Sequence, residues 1–349
     1  MVKGLKMMRR RVQFFSCRFL GKSIALSNEK GGVALVLVIW IMVILLALVG
    51  EFSYSMRTEM KIVRNFKEEE EAYQLALAGI EQAKIELLSV KDLRSAFFNE
   101  NDVLVFFNES DTNDTEEEVI ERNNQLGRGN FEYKIIDEDG KVNINTAKAE
   151  QLRRLFLDSG VDTEEVSTIV DSILDWRDEN SLHRLNGAEE DYYTSLDRPY
   201  SCKDGPFSTI EELLLVKGMT PEIYFGSAHD NVTPEDQEAE ESEEEEEESY
   251  SGVAGYLTVK GSELININTA QLPVLEATLG AVVADNIMIQ RENGPIKRPI
   301  GKSKVDSTFF TIISTGKNSD ESITRTVKVL LQRQANDLVT LYWSDNSIE

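Results

Sequence analysis

Seventeen consecutive residues without a charge, Val33 to Val49, constrain this chain more than anything else in it. At about 1.5 Å per residue a helix of that length runs to roughly 25 Å, enough to span a thin hydrocarbon layer. The segment before it is basic: residues 1–32 hold eight Lys or Arg and one acid, Glu29. Basic flanks stay in the cytoplasm, so the rest of the chain is expected to face outward. That rest is acidic. The chain carries a formal −25, and −32 without residues 1–32, because 29 basic and 61 acidic residues remain. Such a body repels nucleic acid and anionic lipid and attracts divalent cations or basic partner surfaces.

Three readings of this start compete. An uncleaved signal anchor is one. An ordinary secretory signal is weaker, because GEFSYSM after Val49 offers no small-x-small cleavage site. The third rests on Glu29-Lys30-Gly31-Gly32 followed by Val33-Ala34-Leu35, with glycine directly before the apolar run. That arrangement resembles the class III leader of type IV pilins and pseudopilins. The resemblance implies a prepilin peptidase that cuts between Gly32 and Val33 and methylates the new terminus. Most such subunits carry Glu at the fifth mature position, where it pairs with the terminal amine of a neighbour. Leu37 stands there instead, as the resemblance implies for a subunit at the very tip.

Past the apolar run, Ala72, Leu75, Ala76, Gly79, Ile80, Ala83 and Leu87 recur at helical steps, with Glu68–Glu71 and Lys84 on the solvated side. One helix from Val33 to about Leu88 is predicted. The stripe is too short and Ala-rich for a coiled-coil stalk.

The head reads as strands, a helical region, then strands. Residues 108–128 are polar and read as a loop with a short helix. Phe131–Ile136 alternates as a strand, turns at Asp137–Gly140 and returns through Lys141–Ile144. Ala147–Leu157, Glu164–Trp176 and Thr209–Val216 have helical spacing, the last with Ser208 as N-cap and Gly218 as stop. Residues 234–249 contain eleven acids and read as a disordered loop. Gly255–Lys260 is a strand, Ala270–Ala277 and Val282–Arg291 are helices, and Phe309–Ser314, Thr324–Arg333 and Leu338–Trp343 form an antiparallel meander. The class is α+β. The divisions are a leader 1–32, an N-terminal helix 33–95 with its membrane span at 33–50, a first part of the head 96–146, a helical insertion 147–254 that includes the acidic loop, and the remainder 255–349.

Val142-Asn143-Ile144-Asn145-Thr146-Ala147 recurs as Ile265-Asn266-Ile267-Asn268-Thr269-Ala270. In each copy Asn-Thr is expected to cap a helix. The pattern also resembles the entry to helix-hairpin-helix modules, with Gly218 as a hairpin glycine, but no basic patch accompanies it.

Asp171, Asp175 and Asp178 share one helix face, and Glu189, Glu190 and Asp191 follow Gly187. Catalysis by such a pair is disfavoured, because His183 and His229 belong to no motif and no nucleophile, phosphate loop or zinc spacing is present. Cys17 and Cys202 supply no disulfide framework once the leader is gone. Calcium, which takes hard oxygen ligands, and ion pairing with Arg177, Arg184 or Arg198 both remain open.

Asp175-Trp176-Arg177-Asp178, Asn186-Gly187-Ala188-Glu189, Tyr192-Tyr193, Glu211-Glu212-Leu213, Val216-Lys217-Gly218-Met219 and both Asn-x-Asn-Thr-Ala segments follow one another in an order that resembles the K-type minor pseudopilins of type II secretion, across nearly all of 31–343. The resemblance implies a pilin-like α+β head with a large helical insertion and no enzymatic activity. It implies calcium in the head, carried here onto Asp175, Asp178, Glu189 and Asp191. Its implied partners are the I-type and J-type minor pseudopilins, the major pseudopilin and the prepilin peptidase, with the anchor in the inner membrane, the head in the periplasm and no nucleic acid. The long acidic run departs from that pattern. A minor pilin of a type IV pilus and a DNA-binding surface protein are the alternatives.

Overall fold

The computed structural model describes residues 31–90, 92–98, 104–106, 122–227, 250–335 and 337–345. The leader up to Lys30, most of the polar loop at 108–128 and the acidic run at 234–249 lie outside them. The chain divides after Asn65 into two units. Helix α1 (Gly31–Ser89) starts two residues before the predicted Val33 and ends one after Leu88. Its first part is exposed throughout and is long and apolar enough to cross a membrane.

The second unit is α+β, as expected. The chain continues through β1 (Ala96–Phe98), β2 (Leu104–Phe106), β3 (Asn123–Leu126) and β4 (Gly129–Asp137), and ends in β9 (Phe309–Lys317), β10 (Thr324–Gln334) and β11 (Asp337–Ser344). The main sheet has the order β11-β10-β9-β4-β3, all antiparallel. Its inner residues, Phe131, Tyr133, Ile135, Phe310, Ile312, Val327, Val329 and Leu331, pack with the stripe of α1 from Leu75 to Leu87. The small residues of that stripe permit a close approach. A Cβ on Gly316 would lie 2.1 Å from the carbonyl oxygen of Ala72, and one on Gly79 would lie 2.2 Å from Ser314 Oγ. The polar strand β3, expected as loop, is an exposed edge strand with no buried residue to give it an apolar alternation.

Two strand expectations change. The return after Asp137 does not pair back on β4. A 3-10 turn at Glu138–Gly140 leads the chain out of the sheet, and β5 (Val142–Asn143) pairs in parallel with β6 (Leu257–Thr258). The strand expected over Gly255–Lys260 is short, Leu257–Thr258, and pairs with β5 instead of the main sheet. The reason lies in Asp137 and Asp139, both buried. Asp137 accepts from the Asp139 N–H, Asn266 Nδ2, Thr269 Oγ1 and Ser307 Oγ. Asp139 accepts from the Ser262, Thr308 and Phe309 N–H groups and pairs with Lys304 at 2.7 Å. These carboxylates tie the sheet to the segments that re-enter it, so the turn cannot close as a hairpin.

Between the two halves of the sheet lies a module built twice. In the first copy β5 precedes α2 (Ala149–Asp158) and α3 (Thr163–Arg177). In the second, β7 (Ile265–Asn266), paired in parallel with β8 (Ser303–Lys304), precedes α6 (Leu272–Leu279) and α7 (Ala281–Arg291). Between the copies stand the short helices α4 (Glu190–Thr194) and α5 (Pro221–Phe225). The repeated Asn-x-Asn does not cap the helices, which begin two residues after the alanine and out of reach. Asn143 and Asn266 instead accept from the N–H two residues on. Asn145 exchanges bonds with the Phe207 backbone, and Asn268 does the same with Ile296. Each module is closed by an arginine near its end. Arg177 donates to the carbonyls of Ile144 and Ala147, and Arg291 to those of Ile267 and Ala270. The helix pairs turn at Gly160 and Gly280, with φ +92° and +88°, so Gly218 is not the hairpin glycine. Helices α2 and α6 pack on each other and join both copies into one core. The third predicted helix is a 3-10 segment, Ile210–Leu215, capped by Thr209 and Glu212 rather than by Ser208.

Candidate functional site

Gly32 and Val33 lie in the first turn of α1; Val33 is exposed, and a Cβ on Gly32 would meet nothing within 4 Å. The geometry there is an open, unpacked helix start.

The carboxylates cluster behind α3. Asp175 is fully buried, and both its oxygens are taken by Arg184: the backbone N–H at 2.9 Å and Nη1 at 2.5 Å. The same Nη1 reaches Asp178 at 2.9 Å. A charged pair removed from water must have such bonds to be tolerated. Of the three arginines considered, Arg184 makes these pairs, while Arg177 serves backbone carbonyls. Asp171 is met by Arg153 at 3.3 Å and by Asn186. Gly187 follows because a Cβ there would strike Asp175 Oδ2 at 1.9 Å.

Glu189 is different. It is 3% exposed, and its Oε1 has no hydrogen-bond partner. Burial, then the carboxylates of Asp175, Asp204 and Asp178, push its carboxyl up to about 7. Ligand atoms of Glu189, Cys202 and Asp204 lie within 4.8 Å of one another. Burial pushes the Cys202 thiol up to about 12, so it remains a neutral thiol and a poor ligand for a hard cation. Of the four residues carried over for calcium, Asp175, Asp178 and Glu189 are electrostatic neighbours, whereas Asp191 is exposed in the first turn of α4. Asp204 was missed. It sits at φ +50° before Gly205, and an Asp-Gly pair as a tight turn was the available signal. The donor set fits a hard cation through Glu189 and Asp204, since the oxygens of Asp175 are already occupied.

The second buried acid group is the sheet junction. Burial, then the neighbouring carboxylate of Asp139, pushes Asp137 up to about 6. Every donor around it is structural. The start of α3 is acidic as well: Asp162 accepts from the Glu164 N–H, and Glu164 and Glu165 occupy its first turn. Phosphate is repelled from such a turn.

Comparison with known proteins agrees with this architecture. Residues 124–226 match the family described as type II secretion system (T2SS), protein K. A relative from Escherichia coli strain K12, described as a putative type II secretion system protein K, is 26% identical over 220 residues, covering 57% of this chain and 61% of its own. The type II secretion system protein K of Pectobacterium carotovorum subsp. carotovorum is 29% identical over 89 residues, 26% of this chain and 27% of its own. The chain thus spans less than two thirds of either relative. A crystal structure described as the GspK-GspI-GspJ complex from the type 2 secretion system of enterotoxigenic Escherichia coli superposes with a TM-score of 0.53 at 17% identity, covering 82% of this chain and all of that one. It establishes a shared fold. The family resemblance drawn from the ordered motifs is borne out.

Proposed function

We propose that this chain, which carries the protein K domain of type II secretion, is the minor pseudopilin at the tip of the secretion pseudopilus. The observation that carries this reading is the continuous helix Gly31–Ser89, apolar and exposed at its start and packed under a sheet at its end. Prepilin peptidase trims the leader before Val33, and the apolar run holds the chain in the inner membrane with the head in the periplasm. The exposed apolar face of α1 packs against the corresponding helices of the I-type and J-type minor pseudopilins and leads on to the major pseudopilin. Leu37 lacks the carboxylate that would pair with a subunit above, and the bulk of the doubled module prevents a further subunit from stacking. The role is structural, without a catalytic step.

Calcium belongs to this proposal. Glu189 and Asp204 would hold it, beside Asp175 and Asp178, and it would neutralise carboxylates that Arg184 leaves uncompensated. Melting the head with calcium and with a chelator tests this: a lower melting temperature in chelator is expected, and no change means that Arg184 alone stabilises the cluster.

Mixing the purified head with the I-type and J-type heads tests the assembly. One complex containing all three is expected on size-exclusion chromatography. A head that elutes alone at micromolar concentrations, while I and J pair, contradicts the reading.

A further inference from the structure

The two copies of the module share an opening motif and a closing arginine, though the second is nine residues shorter between Asn and Arg, and their outer faces differ. Anchoring Arg177 on Arg291 aligns α3 with α7: Val170 with Ala284 and Ile173 with Ile287, all buried. The same alignment places Asp171 on Asp285, Thr168 on Val282 and Asp175 on Ile289. In the first copy this face is covered by the chain itself. Arg184 and Asn186 meet Asp175 and Asp171, and Gly218 lies against Ile169 and Thr168. In the second copy the chain runs from Glu292 towards β8, and among the described residues none covers this face. Val282 is 76% and Ile289 59% exposed, and Asp285 is exposed between them.

The charges differ in the same sense. Aligning Asn143 with Asn266 places Arg153 of α2 on Glu276 of α6. The pair Arg153–Asp171, at 3.3 Å, is therefore replaced in the second copy by two acids. Burial, then the carboxylates of Asp158 and Asp285, hold Glu276 above its ordinary range. Among the described residues neither Glu276 nor Asp285 has an ion pair. One copy thus carries its own cation and its own cover, and the other presents the matching vacancy in both respects.

We propose that the outer face of α7 docks a segment of another protein, one that lays apolar side chains on Val282 and Ile289 and brings a Lys or Arg between Glu276 and Asp285. The occupant is polypeptide rather than a bare cation because Val282 and Ile289 flank Asp285 on one face of α7, with Glu276 on the neighbouring α6. Charge complementarity defines the basic residue. Nothing in this depends on the pseudopilus reading.

Photo-crosslinking side chains placed at Val282 and Ile289 of the full chain, in the cells that make it, test the proposal, with exposed Glu165 on α3 as control. A discrete adduct is expected at 282 and 289 and not at 165. Mass spectrometry should map it to a segment of a different protein holding Lys or Arg beside apolar residues. Asp285→Lys should reduce its yield about tenfold without lowering the melting temperature of the head. No adduct at either position, an adduct to lipid, to a second copy or to an acidic segment, or a yield indifferent to Asp285→Lys overturns it.

Discussion

The first copy of the module, 142–177, and the second, 265–291, begin with nearly the same six residues and end on the same arginine clamp, yet they are stabilised differently. The first receives its cover from the segment between Arg184 and Met219, which brings Tyr193, Tyr200 and Phe207 around Trp176. The second has no such cover among the described residues and is riveted to the sheet through Asn266 and Thr269 on Asp137. One copy is finished by its cover and the other by the sheet. A duplicated unit can keep its inner wiring while each copy finds a different neighbour, because the inner wiring is backbone-directed and indifferent to the outer side chains.

The largest effects should come from the clamps. Arg177→Ala and Arg291→Ala each leave two buried carbonyls unpaired and should each cost about 3 kcal/mol in denaturant melts of the head. Unequal losses would mean that the cover, not the clamp, stabilises the first copy. Asp137→Ala should cost about 2 kcal/mol, because the side chains of Asn266, Thr269 and Ser307 lose their acceptor. Hydrogen exchange should locate that damage in the second copy and not in the first.

The sequence makes much of this legible and hides the rest for identifiable reasons. Helix α1 follows from its period, and the repeat is visible because Asn-x-Asn-Thr-Ala is spelled the same twice. The clamps were not visible: Arg177 lies 30 residues from Ala147 and Arg291 lies 21 from Ala270, and nothing local marks a guanidinium that reaches back to a carbonyl. The spacing of Asp171, Asp175 and Asp178 revealed a shared face but not which arginine would answer it. Asp204 escaped because a turn residue carries no period. The hairpin expected after Asp137 failed because three successive acids, normally a solvated turn, are buried here.

Smaller effects sharpen the comparison further. Asn145→Ala and Asn268→Ala should cost about 1.5 kcal/mol each, since each side chain bridges two backbone segments within its own copy. Acidification should stabilise the second copy through Asp137. Asp137 has a raised carboxyl, about 6 against an ordinary 3.8, so the native state takes up a proton first. Its contribution is complete below the ordinary value and is lost as pH rises through 6. Between pH 7 and pH 5 the head should gain about 1 kcal/mol from this group, a gain that Asp137→Asn abolishes. Smallest of all, Glu276→Arg should restore in the second copy the pair that Arg153 makes in the first and stabilise it by about 0.5 kcal/mol.

The account depends most on the helix start being kept rather than discarded. Intact-mass and amino-terminal analysis of the chain recovered from membranes decides it. A protein beginning at a methylated Val33 is the predicted result. One that retains residues 1–32, or that begins beyond Val49, contradicts the account.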